Sequence, residues 1–307
     1  YDGRRYGHGD LHALPKDIGP QAMFINQDLF QRLHEPPPSP RTPLTWSQAL
    51  ALWQRLTRDE NHDGRTDLWG VYGFPLEAAV WSHGGEFLSA DARRFTMAAD
   101  PLALEALQWT ADLQAVHRVA PQERQREALP VDAMFLTGRL ACFIGGRWMV
   151  PLFRQAPFNW DVAPIPVSDR TRRPAGWSGS VGLAMAPECR HPEAAWQLIE
   201  FLAGPEGQAA QARMGFQIPN QRPLAWTDVF LQRAQRPAHA EVFAEAALYQ
   251  QPNPSTRTPD NEWWTLLHQR LAPVYRGEVR AAERLHAIVP EVQAALDRGW
   301  RLLEAGR

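Results

Sequence analysis

Short apolar runs alternate along this chain with longer stretches whose apolar residues recur every three or four positions, and that alternation restricts the fold more than any other feature. The strand-like runs are Gly70-Val71-Tyr72-Gly73, residues 140–144, Asp161-Val162-Ala163-Pro164-Ile165 and Val181-Gly182-Leu183-Ala184-Met185. Two further extended pieces, residues 10–15 and 22–26, are joined by Lys16-Asp17-Ile18-Gly19-Pro20. Helical spacing predicts helices over residues 46–56, 101–117, 192–203, 240–249, 261–275 and 279–303. Thr45 stands where the first of these needs an N-cap. Short strands, outnumbered by helices and alternating with them, define an α/β protein whose mixed or parallel sheet is flanked by helical layers.

The 27 prolines fall mostly at the ends of these elements, and residues 36–43 are too proline-rich to carry a regular one. Any passage between two lobes must therefore run through short segments, not a flexible tether. A length of 307 residues with 44% apolar content supports one large domain or two ordinary ones. A net charge of -2 and a pI near 6.6 leave no basic footprint for nucleic acid or an anionic membrane surface. No apolar run is long enough to cross a bilayer, and residues 1–10 are polar and Gly-rich where an export signal would be basic and then apolar. With no initiator Met, the chain reads as processed or truncated. Lys16 is the only lysine among 32 basic residues, a bias that makes arginine counts uninformative.

Cys142, inside Leu140-Ala141-Cys142-Phe143-Ile144, reads as a buried thiol. Cys189, between Pro187 and Pro192, reads as a loop residue, and spacing alone cannot pair the two. Thirteen tryptophans are many for this length; indole serves a core and a flat ligand equally well, so position has to decide between them.

Five local sequences, in order, resemble the type 1 family of extracellular solute-binding proteins. The first is Leu14-Pro15-Lys16-Asp17 followed by Met23-Phe24-Ile25-Asn26-Gln27-Asp28-Leu29-Phe30, similar to a Leu-Pro turn, a strand and Tyr-Asn-Lys-Asp-Leu-Phe, with Ile25 and Gln27 departing from that pattern. Pro43-Leu44-Thr45-Trp46 resembles the Pro-x-Thr-Trp that opens the next helix, and residues 59–67 ahead of Leu68-Trp69-Gly70-Val71 resemble an Asp-Gly turn and Trp-Gly strand. Residues 135–148, ending in Gly145-Gly146-Arg147-Trp148, resemble the strand after which a tryptophan enters the cleft. Gly176-Trp177-Ser178-Gly179-Ser180, followed by a strand and His191-Pro192-Glu193-Ala194-Ala195-Trp196, resembles the return strand and its helix.

The resemblance implies a two-lobed fold of the periplasmic-binding-protein type II class and a sugar-binding subunit of an ABC importer. It also implies roughly a hundred family residues ahead of Tyr1, so that lobe one is represented by residues 1–17 and 181–221 and lobe two by 18–178 and 222–307. A lobe lacking its central strands exposes edges, and such a fragment alone is expected to be unstable or to aggregate. The implied partners are a sugar or related polar ligand, a membrane permease and its ATPase. The implied state is a monomer in the periplasm or outside the cell, lipid-anchored in the full precursor.

Sugar recognition needs aromatic faces for pyranose C–H groups and planar polar groups for hydroxyl pairs. On the resemblance, Trp148 is the stacking residue, Trp177 and Ser178 form a second cleft loop, and Trp81 with Ser82 stands before a Gly-Gly turn. Asp17, in the first lobe-crossing turn, would read hydroxyls, although Lys16-Asp17 also suits a solvated turn. Arg147 would fork two hydroxyls or pair with a surface acid. Of Trp263 and Trp264 only one can face the cleft, and Trp264 is taken as the candidate.

Asp59, Asn61, Asp63 and Asp67 occupy positions 1, 3, 5 and 9 of a calcium-type loop with Gly64 at position 6. Position 12 is Gly70 where a bidentate Glu belongs, so an Asp/Asn/Gly turn is the preferred reading. Structural calcium is kept as the alternative. Enzyme motifs are weaker: the serines of residues 176–180 do not form a nucleophile elbow, and His8 and His12 lie in a non-helical stretch. Glu77, Glu86 and Asp91 are carboxylates of the kind a glycosidase pairs, but nothing selects two of them. A carbohydrate-active enzyme and a calcium-dependent adhesion or scaffold module are the rivals to a binding protein.

Overall fold

The computed structural model describes residues 10–306. Residues 1–9, with His8 and the front of the first lobe-one piece, lie outside the described residues. Strand β1 (Leu14–Pro15) is followed by β2 (Gly19–Asn26), α1 (Gln27–Arg32), α2 (Trp46–Leu56), β3 (Trp69–Tyr72), α3 (Leu76–His83), α4 (Pro101–Ala115), α5 (Glu123–Ala128) and α6 (Val131–Leu136). Then come β4 (Leu140–Gly146), α7 (Val150–Phe153), β5 (Trp160–Ala163), β6 (Ser178–Gly179), β7 (Gly182–Leu183), α8 (Pro192–Ala203) and α9 (Pro205–Arg213). Short helices α10 (Arg222–Ala225), α11 (Asp228–Leu231) and α12 (Glu241–Ala246) lead to the long pair α13 (Glu262–Tyr275) and α14 (Ala281–Glu304).

The larger sheet has the order β3-β4-β2-β5, with β6 added to the start of β2. Only β3 and β4 run parallel; β2 is antiparallel to β4, β5 and β6. The sheet is thus mixed and mainly antiparallel. The strand expected over 181–185 shortens to β7, which pairs with β1 in a separate two-stranded ribbon. The segment 16–20, expected to join two strands, already contains the start of β2.

β2 is buried on both faces, and its alternation feeds two cores. Ala22 and Phe24 face one, Met23 and Ile25 the other. Phe24 is ringed by Phe135, Phe143, Phe153, Trp160 and Phe243, with centroids 5.0 to 6.4 Å away. On the opposite face Trp53 of α2 is fully buried beside Met23 and Cys142. Both cysteines are free thiols, and burial pushes that of Cys142 up to about 12. A third core joins α3 and α4 to α13 and α14, where Trp263 and Leu267 are fully buried.

Local chemistry explains where α2 starts. Thr45 Oγ1 accepts from the Gln48 main-chain N–H, and Gln48 Oε1 accepts from that of Thr45 at 2.9 Å, a complete capping box. Its buried residues Trp46, Ala49, Leu52, Trp53 and Leu56 fall on one helical face. α8 differs: it packs on β1 and α9 yet has no buried residue, and Trp196, Leu198 and Phe201 are exposed.

α2 lies close enough to β3 that the chain tolerates no side chain at residue 70. A Cβ on Gly70 would sit 2.4 Å from the Trp53 carbonyl oxygen and 2.7 Å from its Cα. Gly70→Ala is therefore expected to cost about 1–3 kcal/mol, read as a lower urea midpoint with unchanged slope.

Candidate functional site

Because β3 and β4 run parallel and β2 opposes β4, the C-terminal ends of β3 and β4 meet the N-terminal end of β2, with Gln21 opposite Gly146. Crevices form at such strand ends. Here the chain opens two adjoining cavities. The larger, about 550 Å³, is lined by Gln21, by Tyr72 to Glu77 at the β3–α3 turn, by Glu123 and Arg126 of α5, by Asn253, and by Trp264, His268 and Tyr275 of α13. The smaller, about 400 Å³, is lined by residues 16–19, Trp148, Ser180, Val181 and Phe216. Trp177 lines both. Both volumes lie in the range of small-molecule sites.

Trp148 and Trp177 face each other with ring centroids 6.1 Å apart and planes inclined by 23°. Trp148 is 42% exposed, with its ring on the wall of the smaller cavity. Glycines make room for both rings: a Cβ on Gly146 would fall within 2.2 Å of the Trp148 ring, and one on Gly179 would be 2.8 Å from Trp177. Gly146 has φ -88°, open to any residue, so its role is space for the indole and not a turn of the backbone.

Trp177 is held by strand-like pairing. Ser178 N–H donates to Gln251 O at 2.9 Å, and Gln251 N–H donates to Gly176 O at 3.1 Å. The Gln250 side-chain amide mimics a strand: its Oε1 accepts from Gln21 N–H and its Nε2 donates to Gln21 O, each at 2.8 Å. This ties β2, the Trp177 loop and the segment after α12 into one wall.

Glu77 is the buried acid of the larger cavity, 5% exposed, with Asn253 Nδ2 donating to its Oε1 at 3.1 Å. Burial pushes its carboxyl up from 4.5 to about 7. Burial also pushes the Tyr275 phenol up to about 12, with Glu77 and Tyr72 adding to the effect. His268 is lowered by burial, toward the neutral imidazole. Arg126 donates to the Tyr72 hydroxyl at 2.9 Å and stacks over its ring.

The residues chosen from sequence divide. Asp17, Trp148, Trp177 and Trp264 line the cavities; Trp263 is fully buried, its indole N–H donating to Thr258 Oγ1. Asp17 is also structural: its Oδ2 accepts from Lys16 Nζ at 2.9 Å and its Oδ1 from Val181 N–H at 3.0 Å. Arg147 is corrected: it is fully buried, with its guanidinium 4.7 Å from the Phe230 ring and 5.7 Å from that of Phe243. Residues 147–149 form one 3-10 turn, which sends successive side chains in different directions. Burial, reinforced by Arg154, pushes Arg147 down to about 9.

Ser82 is corrected as well. It is 1% exposed, and its hydroxyl donates to Arg173 O and accepts from Ser168 N–H, each at 2.8 Å. Trp81 packs edge-on to Phe87 at 5.9 Å, one helical turn beyond Glu77, and lines neither cavity. Ser178 holds its loop to β2 and to Gln251. Glu77, Phe74, Arg126, His268 and Asn253 were not singled out as sugar-binding residues. Glu77 stood only among three glycosidase candidates, and no local motif marks a helix-borne acid as facing a cavity.

In the loop of residues 59–67 the candidate calcium ligands point at the loop's own backbone. Asp59 accepts from Asp63 and Gly64 N–H, Asn61 from Asp63 N–H, Asp63 from Arg65 N–H, and Asp67 from Glu60 and Asn61 N–H. Millimolar calcium is expected to leave the melting temperature unchanged. A rise abolished by Asp63→Ala would contradict this reading.

The sequence model of the bacterial extracellular solute-binding protein family matches residues 2–233. The chain belongs to that family. A galactooligosaccharide-binding protein of Bacillus subtilis is 22% identical over 283 residues, 90% of this chain and 63% of its own length. A putative binding protein of Brucella abortus is 23% identical over 259 residues, 80% of this chain and 58% of its own. The chain thus spans about three-fifths of the length of these relatives. Among solved structures, an ABC substrate-binding protein of Listeria monocytogenes in complex with cycloalternan superposes with a TM-score of 0.81 at 20% identity, covering 96% of this chain and 74% of its own. The maltose/maltodextrin-binding domain MalE of Bdellovibrio bacteriovorus bound to maltotriose gives 0.72 at 20% identity, with 98% and 76% covered. The family fold is the two-lobed solute-binding fold expected from the sequence motifs.

Within this family member Glu77 sets a pH dependence. The folded protein holds the Glu77 proton more tightly than the unfolded chain, so the contribution of this one group to stability is fully present at low pH and is lost as pH rises from about 4.5 to about 7. Glu77→Gln is expected to remove that fall, leaving the variant more stable than the parent by about 3 kcal/mol at pH 8 and little changed at pH 4.5. Denaturant titrations of both proteins across this range check it.

Proposed function

We propose that this family member is the ligand-binding part of an ABC importer's substrate-binding subunit and takes a sugar or oligosaccharide across the two cavities that share Trp177. The observation that carries the reading is the facing pair Trp148 and Trp177, two indoles bordering adjoining cavities where the ribbon β1–β7 meets the larger sheet. Aromatic faces suit pyranose C–H surfaces, and Glu77, Asn253, Gln21 and Arg126 supply the acceptors and donors that hydroxyl pairs require. Relatives support this reading: one is a galactooligosaccharide-binding protein of Bacillus subtilis and another a maltooligosaccharide solute-binding lipoprotein of Streptococcus pneumoniae.

On this reading the chain crosses between lobes near 17–20, 178–181 and 219–223. The crossings are supported by their mutual pairing. Lys16 N–H donates to Val181 O at 2.7 Å, Ile18 bridges Ile218, and Pro20 opposes Ser178. Hinge closure over the ligand would deliver a closed form to a membrane permease and its ATPase, with the protein working as a monomer. The family is extracellular, and a periplasmic or cell-surface location with a lipid anchor follows the lipoprotein named in Streptococcus pneumoniae. Among the described residues no helix is long and apolar enough to span a membrane.

Calorimetry against maltotriose and galactooligosaccharides tests the proposal. Trp148→Ala and Trp177→Ala are each expected to weaken binding at least about tenfold while circular dichroism stays unchanged. The sugar should be recovered uncleaved. Cleavage, or full affinity in both variants, would overturn the binding reading in favour of an enzyme or a scaffold.

A further inference from the structure

Reading neutral hydroxyls does not require a carboxyl removed from water without a counter-charge, yet the larger cavity contains one. Glu77 is 5% exposed, and its side-chain partner among the described residues is the neutral amide of Asn253. Among the described residues, neither cation that lines the same cavity pairs with Glu77. Arg126 donates to the Tyr72 hydroxyl and lies over that ring. Arg276 pairs with Glu278 at 2.6 Å and with Glu123 at 3.7 Å, where all three side chains are solvent-accessible.

The remaining titratable groups do not supply the missing charge. His268 is driven toward its neutral form by burial, and the phenols of Tyr72 and Tyr275 carry no positive charge. Phe74, Trp177 and Trp264 form aromatic walls of the same space. Ring faces attract a cation most strongly where water is excluded. A buried carboxylate gains most from a partner that also donates hydrogen bonds.

We infer that the larger cavity receives the ammonium group of an amine-bearing ligand, an amino sugar, with Glu77 as its counter-ion and the aromatic walls against its carbon skeleton. The assignment rests on the sugar-receptor reading and narrows it to a cationic class. An ammonium arriving with the ligand gives Glu77 the charge that the protein withholds.

Calorimetry at pH 7 with three trisaccharides tests it: the chitosan trimer with free amines, its fully N-acetylated counterpart, and maltotriose, each against the parent and Glu77→Gln. The free-amine trimer is expected to bind at least about tenfold more tightly than the acetylated one, and that preference is expected to vanish in Glu77→Gln. Equal affinity for the two, or a preference that survives Glu77→Gln, overturns the assignment. If maltotriose or the acetylated trimer binds and the amine form has no advantage, the receptor reading stands and the role of Glu77 falls. Silence from all three removes both. Should Glu77→Gln not fold, the carboxyl ¹³C resonance of Glu77 in the parent is the second measurement. Adding the free-amine trimer should move it to the ionised position, and an unmoved resonance contradicts the proposal.

Discussion

Everything at the site depends on one strand being buried on both faces. β2 lies between β4 and β5, and its alternate side chains anchor two separate cores, Phe24 among five aromatic rings and Met23 and Ile25 against Trp53 and its neighbours. A one-residue slip of β2 would exchange those faces and empty both cores, so its register is strongly determined. That register sets Gln21 opposite Gly146, which in turn brings the ends of β2, β3 and β4 together where the cavities open. The walls of both cavities are therefore positioned by a strand whose side chains are buried on both faces.

Close approach, more than backbone flexibility, explains the glycines around this surface. Gly19 and Gly146 leave space for the Trp148 ring, and Gly179 leaves space for Trp177. The Gln250 amide, paired with both main-chain groups of Gln21, fills the place a further strand would occupy. Two indoles are thereby held partly exposed on cavity walls, a state in which apolar area stays accessible without collapse of the pocket.

Helices α2, α4, α8, α12, α13 and α14 and the central strand were legible because they rest on local rules. Thr45 and Gln48 carry the capping signal of α2, and the 3.6-residue spacing of its apolar residues is visible without any tertiary contact. α3 escaped notice because Leu76 to Val80 are all buried, so the segment has no polar face to reveal a period. The strand over 181–185 was overread because its apolar residues pair only at Gly182 and Leu183.

Sequence by itself determined the α/β class and the family motifs, and it singled out Trp148, Trp177 and Trp264, which the fold places on cavity walls, since each sits in a local pattern that survives outside the fold. Tertiary structure alone decided which polar groups accompany them. Arg147 and Trp148 are adjacent, yet one is buried against Phe230 and the other faces a cavity, because a single 3-10 turn separates their directions. Glu77 and Asn253 are 176 positions apart, and only the packing of α3 beside the segment before α13 makes them partners in the same cavity. Burial of an acid is a property of the surrounding volume, which no stretch of neighbouring residues encodes.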